Sequence, residues 1–184
     1  MSDELYNGRP ENTDGRLEKE IRVYDMLDSL GIKYCRIDHA PADKMEACGE
    51  IDKKLGVVIC KNLFLCNRQK TRFYLLMMPA DKPYRTRIFS KLAGSSRLSF
   101  GPPEEMEQFL DLTPGSVSIL GLMNDKDNVV NLYIDHEVID AEFLGCHPCI
   151  NTSSLRFKTK DILEKFLPAV NHGYTAVEMP YDED

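Results

Sequence analysis

Apolar residues recur every three or four positions near the start of the chain, the spacing that buries one face of a helix. The first such stretch ends before Gly31, a residue type that commonly stops helices. Its apolar positions are Leu17, Ile21, Tyr24, Leu27 and Leu30. A second stretch runs from about Asp43 to Leu55 and places Cys48, Ile51 and Leu55 on one face. The pattern therefore predicts two amphipathic helices in the first third of the chain.

After Gly56 the pattern changes to runs that are typical of strands. The runs 57–66 and 72–78 flank a short basic turn, which predicts a β-hairpin. Shorter strands are predicted at 33–38, 97–100, 117–122, 129–135 and 155–157. Further helices are predicted at 88–93, from Pro102 or Pro103 to about Leu110, and at 161–167. Helices mixed with strands and short turns predict an α+β domain around a mostly antiparallel sheet.

The chain has 184 residues, which suits one domain with short flanking segments. Residues 1–15 are rich in turn formers and predict a flexible N-terminal arm, residues 16–170 form the predicted domain, and residues 171–184 form an acidic C-terminal tail. The start of the chain lacks the basic and apolar regions of a signal peptide. No apolar run approaches the ~20 residues that cross a bilayer. We therefore expect a soluble, cytoplasmic protein with no membrane partner.

Acidic residues outnumber basic residues by 30 to 23, which gives a formal net charge of -7. Because non-specific nucleic-acid binding depends on neutralising phosphates, this balance excludes a general nucleic-acid binder. The segment 68–97 differs, since its only acid is Asp81. Its basic residues are Arg68, Lys70, Arg72, Lys82, Arg85, Arg87, Lys91 and Arg97. This segment predicts either a local basic face or a solvated surface whose charges are balanced by acids elsewhere.

The cysteines, in a chain without an export signal, predict free thiols. They are Cys35, Cys48, Cys60, Cys66, Cys146 and Cys149. The last two have C-x-x-C spacing, but a zinc ribbon needs a second such pair, and a thioredoxin-like motif opens a helix. We interpret this spacing as chance, with redox or metal chemistry as the alternative.

Lys61 interrupts the apolar run 57–66, on the same face as Ile59, Leu63 and Leu65. A lysine in such a run must extend its amine to solvent, pair with an acid, or line a cavity. Two interpretations follow. Lys61 either lies at a strand end or edge, or presents a cation into a pocket, toward a carbonyl or phosphate oxygen.

Two other segments carry groups suited to binding. The turn at His147-Pro148, followed by Asn151, is either an ordinary loop or a rigid loop that places an imidazole and an amide over a ligand. In residues 115–121 small residues flank an apolar centre, and Gly121 permits close backbone approach. The chain contains no phosphate loop, dinucleotide fingerprint, G-x-S-x-G or H-E-x-x-H motif, and no convincing nucleophile triad.

Several segments occur in a characteristic order along the chain. They are His39-Ala40-Pro41, 60–65, 73–78, 97–100, 114–121, and His147-Pro148 with Asn151-Thr152. This order resembles the YbaK and prolyl-tRNA-editing family of aminoacyl-tRNA deacylases. The resemblance extends from about Leu17 to Leu167. Within the family, the chain is most similar to the free-standing branch that removes alanine from mischarged tRNA-Pro.

The resemblance implies a mixed, mostly antiparallel, barrel-like sheet flanked by helices. It implies hydrolysis of the ester that joins an amino acid to the terminal ribose of tRNA. The implied partner is the acceptor end of mischarged tRNA-Pro, with prolyl-tRNA synthetase as a second candidate partner. No cofactor and no metal are expected.

The resemblance also implies roles for individual residues. The family's near-invariant lysine maps onto Lys61, its glycine-containing loop onto 116–121, and its histidine–proline loop onto His147-Pro148. The catalytic candidates are Lys61, Asn62, Gly121 and His147, and the substrate-binding candidates are Ser118, Ile119, Pro148, Asn151 and His39. Ile119 stands where relatives commonly have a proline, in the loop that shapes the aminoacyl pocket. We hypothesise that Lys61 contacts the terminal phosphate or the ester carbonyl, while backbone N–H groups around Gly121 stabilise the oxyanion.

Two other classes of protein stay open at this point. The same fold could serve as a non-catalytic module that binds proline-like ligands or accompanies a synthetase. Such a module would keep Lys61, but only a deacylase would hydrolyse the ester. The third hypothesis is a thiol redox or metal protein that uses Cys146 and Cys149.

Overall fold

The computed structural model describes residues 4–41 and 45–182, and for residues 45–48 the backbone alone. The strands of this part are β1 (Leu5–Asn7), β2 (Tyr34–Asp38), β3 (Lys61–Cys66), β4 (Phe73–Met78), β5 (Ser99–Phe100), β6 (Val130–Asp135), β7 (Phe143–Cys146), β8 (Ser153–Lys158) and β9 (Thr175–Val177). The α-helices are α1 (Glu18–Ser29), α2 (Met45–Leu55), α3 (Thr86–Leu92), α4 (Pro103–Leu110), α5 (His136–Asp140), α6 (Thr159–Asp161) and α7 (Leu167–Ala169). A 3₁₀ helix covers Ile119–Asn124, and a π-helical turn, Ile162–Phe166, joins α6 to α7. No helix in the described part of the chain is long and apolar enough to span a bilayer.

Helix α1 buries Tyr24 and Leu27 of the predicted apolar face, whereas Leu17 before the helix is exposed. Val23, Tyr24 and Leu27 are each at most 1% exposed. Gly31 follows the helix with a φ of +65°, a left-handed conformation that glycine adopts at little cost and that ends helices. The predicted helix and its predicted stop are both confirmed. The described part of the second predicted helix, α2, ends at Leu55 as expected, while its predicted start at Asp43 lies outside the described residues.

The strands form two sheets. The four-stranded sheet has the order β1-β2-β8-β7 and is antiparallel throughout. The five-stranded sheet has the order β5-β3-β4-β6-β9, with β4–β6 and β6–β9 parallel and the other pairs antiparallel. The predicted α+β class and the mostly antiparallel pairing are confirmed. A bridge between Ile59 and Gly145 connects the two sheets, and they do not close into one barrel.

The predicted hairpin is formed by β3 and β4, with Lys61 opposite Met78 and Cys66 opposite Phe73. One face of the hairpin packs into the main hydrophobic core, through Phe64, Cys66, Leu75 and Met77. The other face packs into a second apolar cluster, through Leu65, Tyr74, Leu76 and Met78. Burial on both faces explains why β4 is an uninterrupted apolar run.

The run 57–66, which the pattern predicts as one strand, is divided. Strand β3 begins only at Lys61. Before it, the Ile59 amide donates to Asp52 Oδ1 at 3.2 Å, and the Cys60 amide donates to the Gly145 carbonyl at 3.2 Å. These amides are bonded to α2 and β7, so they cannot extend the hairpin.

The strand predicted at 117–122 is wrong, because these residues enter the 3₁₀ helix. The Ser118 hydroxyl caps this helix by accepting from the Leu120 amide at 3.2 Å. The Gly121 amide donates to the Ser118 carbonyl at 3.1 Å. A Cβ on Gly121 would lie 2.7 Å from Leu112 Cδ1 and 3.2 Å from the Leu110 carbonyl oxygen. Gly121 therefore permits close packing, as predicted, but within a helix.

Strands β1, β7 and β9 are not predicted by the pattern. Strand β1 lies inside the predicted arm and pairs with β2, with Leu5 opposite Ile37. Strand β9 lies inside the predicted tail and pairs with β6, with Val177 opposite Asp135. Residues 5–7 of the predicted arm and residues 175–177 of the predicted acidic tail thus belong to the sheets. Each of these strands has four residues or fewer, too few to show a periodic pattern.

We expect Gly121→Ala to destabilise the protein, because the added methyl group would overlap buried Leu112 and overpacking costs about 1–3 kcal/mol. Urea denaturation measures the change. The matched control is Gly49→Ala in α2, where an added Cβ meets nothing within 4 Å, and where alanine is the better helix former. Equal stability of the two variants would contradict this account of Gly121.

Candidate active site

Lys61 is the first residue of β3, where the chain arrives from the other sheet. Its side chain is half-buried, on the strand face that also carries Leu63 and Leu65. The Lys61 ammonium donates a hydrogen bond to the carbonyl oxygen of Lys82 at 2.5 Å. Because an ammonium has three N–H donors, this bond leaves two for a ligand. The predicted cation thus lies at a strand start and is held by a fixed backbone acceptor.

Asn62 points to the opposite face of β3, because successive side chains alternate along a strand. Its Nδ2 donates to the Cys60 carbonyl at 3.1 Å. Its Oδ1 is buried and has no hydrogen-bond partner among the described residues. An unpaired buried acceptor costs about 1–3 kcal/mol, so a ligand or water that donates to this oxygen would be stabilised there. Lys61 and Asn62 are therefore suited to different parts of a ligand.

His39, Ser154 and His147 form a cluster at one end of the four-stranded sheet, where β2 and β7 end and β8 begins. His39 Nε2 lies 2.9 Å from the Ser154 hydroxyl, and the same hydroxyl lies 3.4 Å from His147 Nδ1. The two imidazole rings are 6.3 Å apart between centroids. A bond from the His39 amide to the Thr152 carbonyl, at 2.9 Å, fixes the end of β2 against this loop. The structure thus brings together two predicted residues, His39 and His147, through a serine that the sequence analysis did not single out.

The partners of the two rings determine which nitrogen carries the proton. His39 Nδ1 lies 2.8 Å from the Ala40 carbonyl, and His147 Nδ1 lies 2.9 Å from the Ser153 carbonyl. Because a carbonyl only accepts, each Nδ1 is the donor, and a neutral His147 keeps its lone pair on Nε2. Burial lowers the pKa of His147, the Ser153 carbonyl opposes this, and nearby His39 lowers the pKa further. His147 is therefore set up as a neutral acceptor through Nε2.

The loop 115–118 lies beside the loop 147–152. A Cβ on Gly115 would lie 3.9 Å from Asn151 Nδ2, and the Ser118 hydroxyl lies close enough to the Cys146 thiol to lower its pKa, against the larger effect of burial. Pro148 is buried, whereas Asn151 is half-buried. Ile119 is fully buried in the main core, so its side chain packs there. These loops therefore bring Ser118, Pro148 and Asn151 to one part of the molecule.

The role assigned to Gly121 needs correction. Its amide already donates to the Ser118 carbonyl, and the preceding Leu120 amide donates to the Ser118 hydroxyl. Neither N–H group is available to stabilise an oxyanion, because the 3₁₀ helix uses both. In this structure Gly121 serves close helix packing.

The link between β3 and the histidine–proline loop is made by the backbone. Cys60, next to Lys61, donates to Gly145, two residues before His147. No hydrogen bond or ion pair within the described part of the chain joins the Lys61 ammonium to His147 itself. The predicted residues thus form two groups that a shared backbone contact places side by side.

The cysteine pair is not a disulfide. Cys146 and Cys149 are free and buried. Burial raises the pKa of Cys146, and it raises the pKa of Cys149 to about 12. Because the thiolate is the nucleophile and the metal ligand, such thiols are poorly suited to redox or metal chemistry. Within residues 4–41 and 45–182, no group of three or more histidine, cysteine or acidic side chains is arranged to hold a metal ion.

Part of the basic segment 68–97 forms a cationic surface, in which Arg87 and Lys91 are exposed and Arg85 is half-buried. Arg85, Arg87 and Lys91 line a groove of about 1170 Å³ at helix α3. Lys82 does not belong to this surface, because it is 2% exposed and bonded to Asp135. Another cavity, of about 710 Å³, lies against the four-stranded sheet near Cys35 and Arg156, and no predicted site residue lines it.

Comparison with known proteins identifies the family. The family described as aminoacyl-tRNA editing domain matches residues 39–165. Prolyl-tRNA editing protein ProX of Acetoanaerobium sticklandii is 30% identical over 163 residues, which are 89% of this chain and 99% of that protein. The chain therefore belongs to the aminoacyl-tRNA editing family, a class of deacylases, as the resemblance in its sequence indicates.

Solved structures agree on the fold. A crystal structure of a candidate trans-editing enzyme for prolyl tRNA synthetase aligns with a TM-score of 0.66 at 15% identity, covering 89% of this chain and 97% of that one. A hypothetical protein, APE2540, aligns with a TM-score of 0.63 at 16% identity, covering 87% and 98%. The architecture of two sheets and flanking helices is thus shared with these proteins.

We predict that His147 makes stability depend on pH. Its folded pKa lies below its ordinary value of 6.5, so the unfolded chain binds more protons, and acidification below about that value removes stability. Urea denaturation at neutral pH and at mildly acidic pH should show a smaller loss for His147→Gln than for the wild type. An equal loss in both proteins would contradict the assignment of a half-buried, neutral imidazole.

Proposed function

We propose that this protein deacylates mischarged tRNA-Pro, above all tRNA-Pro that carries alanine, by hydrolysing the ester at the terminal ribose. The observation that supports it most is the Lys61 ammonium, fixed at the start of β3 with two N–H donors left for a ligand, in a chain of the aminoacyl-tRNA editing family. The name of its relative, a prolyl-tRNA editing protein, supports the choice of tRNA.

The reaction does not require a nucleophile triad. An aminoacyl ester is already activated, and the neighbouring ribose hydroxyl can orient a water molecule. Water adds to the ester carbonyl carbon, the carbon–oxygen bond to the ribose breaks, and the ribose oxygen takes the proton. The protein then needs to hold the 3′ end and stabilise the negative charge that develops on the carbonyl oxygen.

Each group of the candidate site has a role in this scheme. The Lys61 ammonium binds the terminal phosphate or the ester carbonyl. The Nε2 lone pair of neutral His147 accepts a hydrogen bond from the water or from the ribose hydroxyl. The unpaired Oδ1 of Asn62 accepts from the amino group of the aminoacyl moiety. Ser118, Pro148, Asn151 and His39 shape the surroundings of the ester, and His39 does so by fixing Ser154.

Selection of alanine rests on size. A hollow that fits a methyl side chain excludes the larger proline by bulk, whereas one additional methylene in a roomy site is worth only about 1–3 kcal/mol. The correctly charged Pro-tRNA-Pro is thereby spared. Because Ile119 packs into the core, we expect neighbouring loop residues, not Ile119, to form the wall of such a hollow.

The acceptor stem would lie along the basic groove at α3. Its exposed cations are suited to phosphates, and they attract the tRNA to an otherwise acidic protein. Prolyl-tRNA synthetase is a second proposed partner, as the source of the mischarged tRNA, and the proposed place of action is the cytoplasm.

A non-catalytic binding module of the same fold is the second candidate. It is favoured by one observation, namely that the backbone donors expected around Gly121 are already bonded within the 3₁₀ helix. A deacylation assay with purified Ala-tRNA-Pro separates the two functions, because the module would bind the tRNA and leave the ester intact.

We expect Lys61→Ala to lower kcat/KM for Ala-tRNA-Pro by about 100-fold or more, as is typical when one charge-stabilising group is removed. The matched control is Lys126→Ala, which removes an exposed lysine in a turn between other elements. The control should keep wild-type activity. Full activity of Lys61→Ala would end the proposed role of this residue.

We expect the double charge reversal Arg87→Glu and Lys91→Glu to raise KM for tRNA with little effect on kcat. Both residues are exposed and line the groove, so their loss should also weaken the dependence of binding on salt. The control reverses Lys126 and Lys160, which are exposed on other parts of the surface. An unchanged KM at every ionic strength would place the tRNA elsewhere.

A further inference from the structure

The carbonyl group that accepts a hydrogen bond from the Lys61 ammonium belongs to Lys82, a lysine whose side chain is buried in an ion pair. After β4, residues 79–82 form a turn in which the Lys82 amide lies 3.3 Å from the Pro79 carbonyl. The turn directs the Lys82 carbonyl to the Lys61 ammonium, at 2.5 Å. The Lys82 side chain runs the other way, into the protein, and is only 2% exposed. One residue thus connects the candidate site to the interior.

The Lys82 ammonium ends in an acidic cluster. It lies 3.0 and 3.1 Å from the two carboxylate oxygens of Asp135 and 2.8 Å from Glu137 Oε1. Asp135 ends β6 and is fully buried. Burial alone would lower the pKa of Lys82, but the hydrogen bonds to Glu137 and Asp135 outweigh it and raise the pKa. Lys82 therefore stays charged and anchored.

The C-terminal segment closes this cluster from outside. We call residues 177–181 the C-terminal strap. Its Met179 amide donates to Asp135 Oδ2 at 2.9 Å, and its Tyr181 hydroxyl donates to Glu137 Oε2 at 2.8 Å. The Tyr181 ring also lies over the Lys82 ammonium, 5.0 Å from it. Carboxylate oxygens and an aromatic face thus surround the Lys82 ammonium, and the strap contributes the aromatic face.

A buried ion pair of this kind does not stabilise a core more than apolar residues would, since apolar residues of similar size often give equal or greater stability. What the pair supplies is a fixed position for the Lys82 backbone. Lysine has a flexible stem of four carbons, and a free ammonium samples many rotamers. A fixed acceptor restricts the Lys61 ammonium while leaving its other N–H donors free.

We propose that the ion pair between Lys82 and Asp135, covered by the C-terminal strap, positions the Lys61 ammonium for the reaction. Lys82 and Asp135 are then positioning residues that act through Lys61, and neither touches the substrate. This inference rests on the proposed deacylation. It predicts that the residue pair is needed for the rate of the chemical step more than for binding of the tRNA.

The test replaces each member of the pair in the full chain. Lys82→Met keeps an unbranched side chain of nearly the same length and removes its charge. Asp135→Asn keeps the size of the side chain and carries the test if Lys82→Met does not yield folded protein. We expect each folded variant to lower kcat for Ala-tRNA-Pro by about tenfold or more, since small displacements of reacting groups are costly. KM should change little.

A second readout separates positioning from general stability. Side-chain relaxation measured by NMR at the Lys61 Cε methylene reports the order of this side chain. Its order parameter should fall in Lys82→Met and in Asp135→Asn. The matched control is Val130→Ala, a buried truncation at the far end of β6, which should lower stability and leave both the order parameter and kcat unchanged.

The outcomes are distinct. The inference is supported if kcat and the Lys61 order parameter both fall in Lys82→Met and Asp135→Asn, and if neither falls in Val130→Ala. An unchanged kcat, or a fall in kcat with an unchanged order parameter, overturns it. Full activity of Lys61→Ala would instead overturn the proposed role of Lys61, whatever the order of its side chain.

Discussion

The contact on which the candidate site depends is the backbone bridge between the two sheets. Ile59 pairs with Gly145, and the Cys60 amide donates to the Gly145 carbonyl at 3.2 Å. The approach is so close that a Cβ on Gly145 would lie 2.9 Å from Val57 Cγ1 and 3.3 Å from Ile59 Cα. Only glycine allows this contact without a shift of the chain. The bridge brings the start of β3 next to the end of β7, and it is why residues 61–62 and the histidine–proline loop lie side by side.

The chemistry of the site follows from this meeting of strands. One strand start supplies a fixed ammonium and, on its other face, an unpaired amide oxygen. The adjacent loop supplies a neutral imidazole whose proton is fixed on Nδ1 by a backbone carbonyl. Such groups bind and polarise a reactive ester but do not form a covalent intermediate, which suits hydrolysis of a substrate that is already activated.

Sequence patterns predicted the elements that have their own periodicity or stop signals. Helix α1, the β3–β4 hairpin and helix α4 are in the predicted places. The patterns failed where a contact with another group decides the conformation. Ser118 caps a 3₁₀ helix in a segment whose pattern is typical of a strand. Residues before β3 are hydrogen-bonded to α2 and β7 and so do not extend the hairpin. From the sequence alone Lys82 is indistinguishable from a surface cation, because its partner Asp135 lies 53 positions away. Ser154 gave no signal beyond a run of small polar residues, since its role depends on two histidines from distant segments.

The most direct test of the central claim is a titration of the protein with an amide-linked analogue of alanyl-adenosine, followed by NMR of the backbone amides. The backbone amides of Lys61, Asn62 and His147 should shift together with one Kd. Cys35 and Arg156, beside the separate cavity on the four-stranded sheet, should not respond. Chemical-shift changes confined to residues around that cavity, or changes in β3 with none in the histidine–proline loop, would contradict this interpretation.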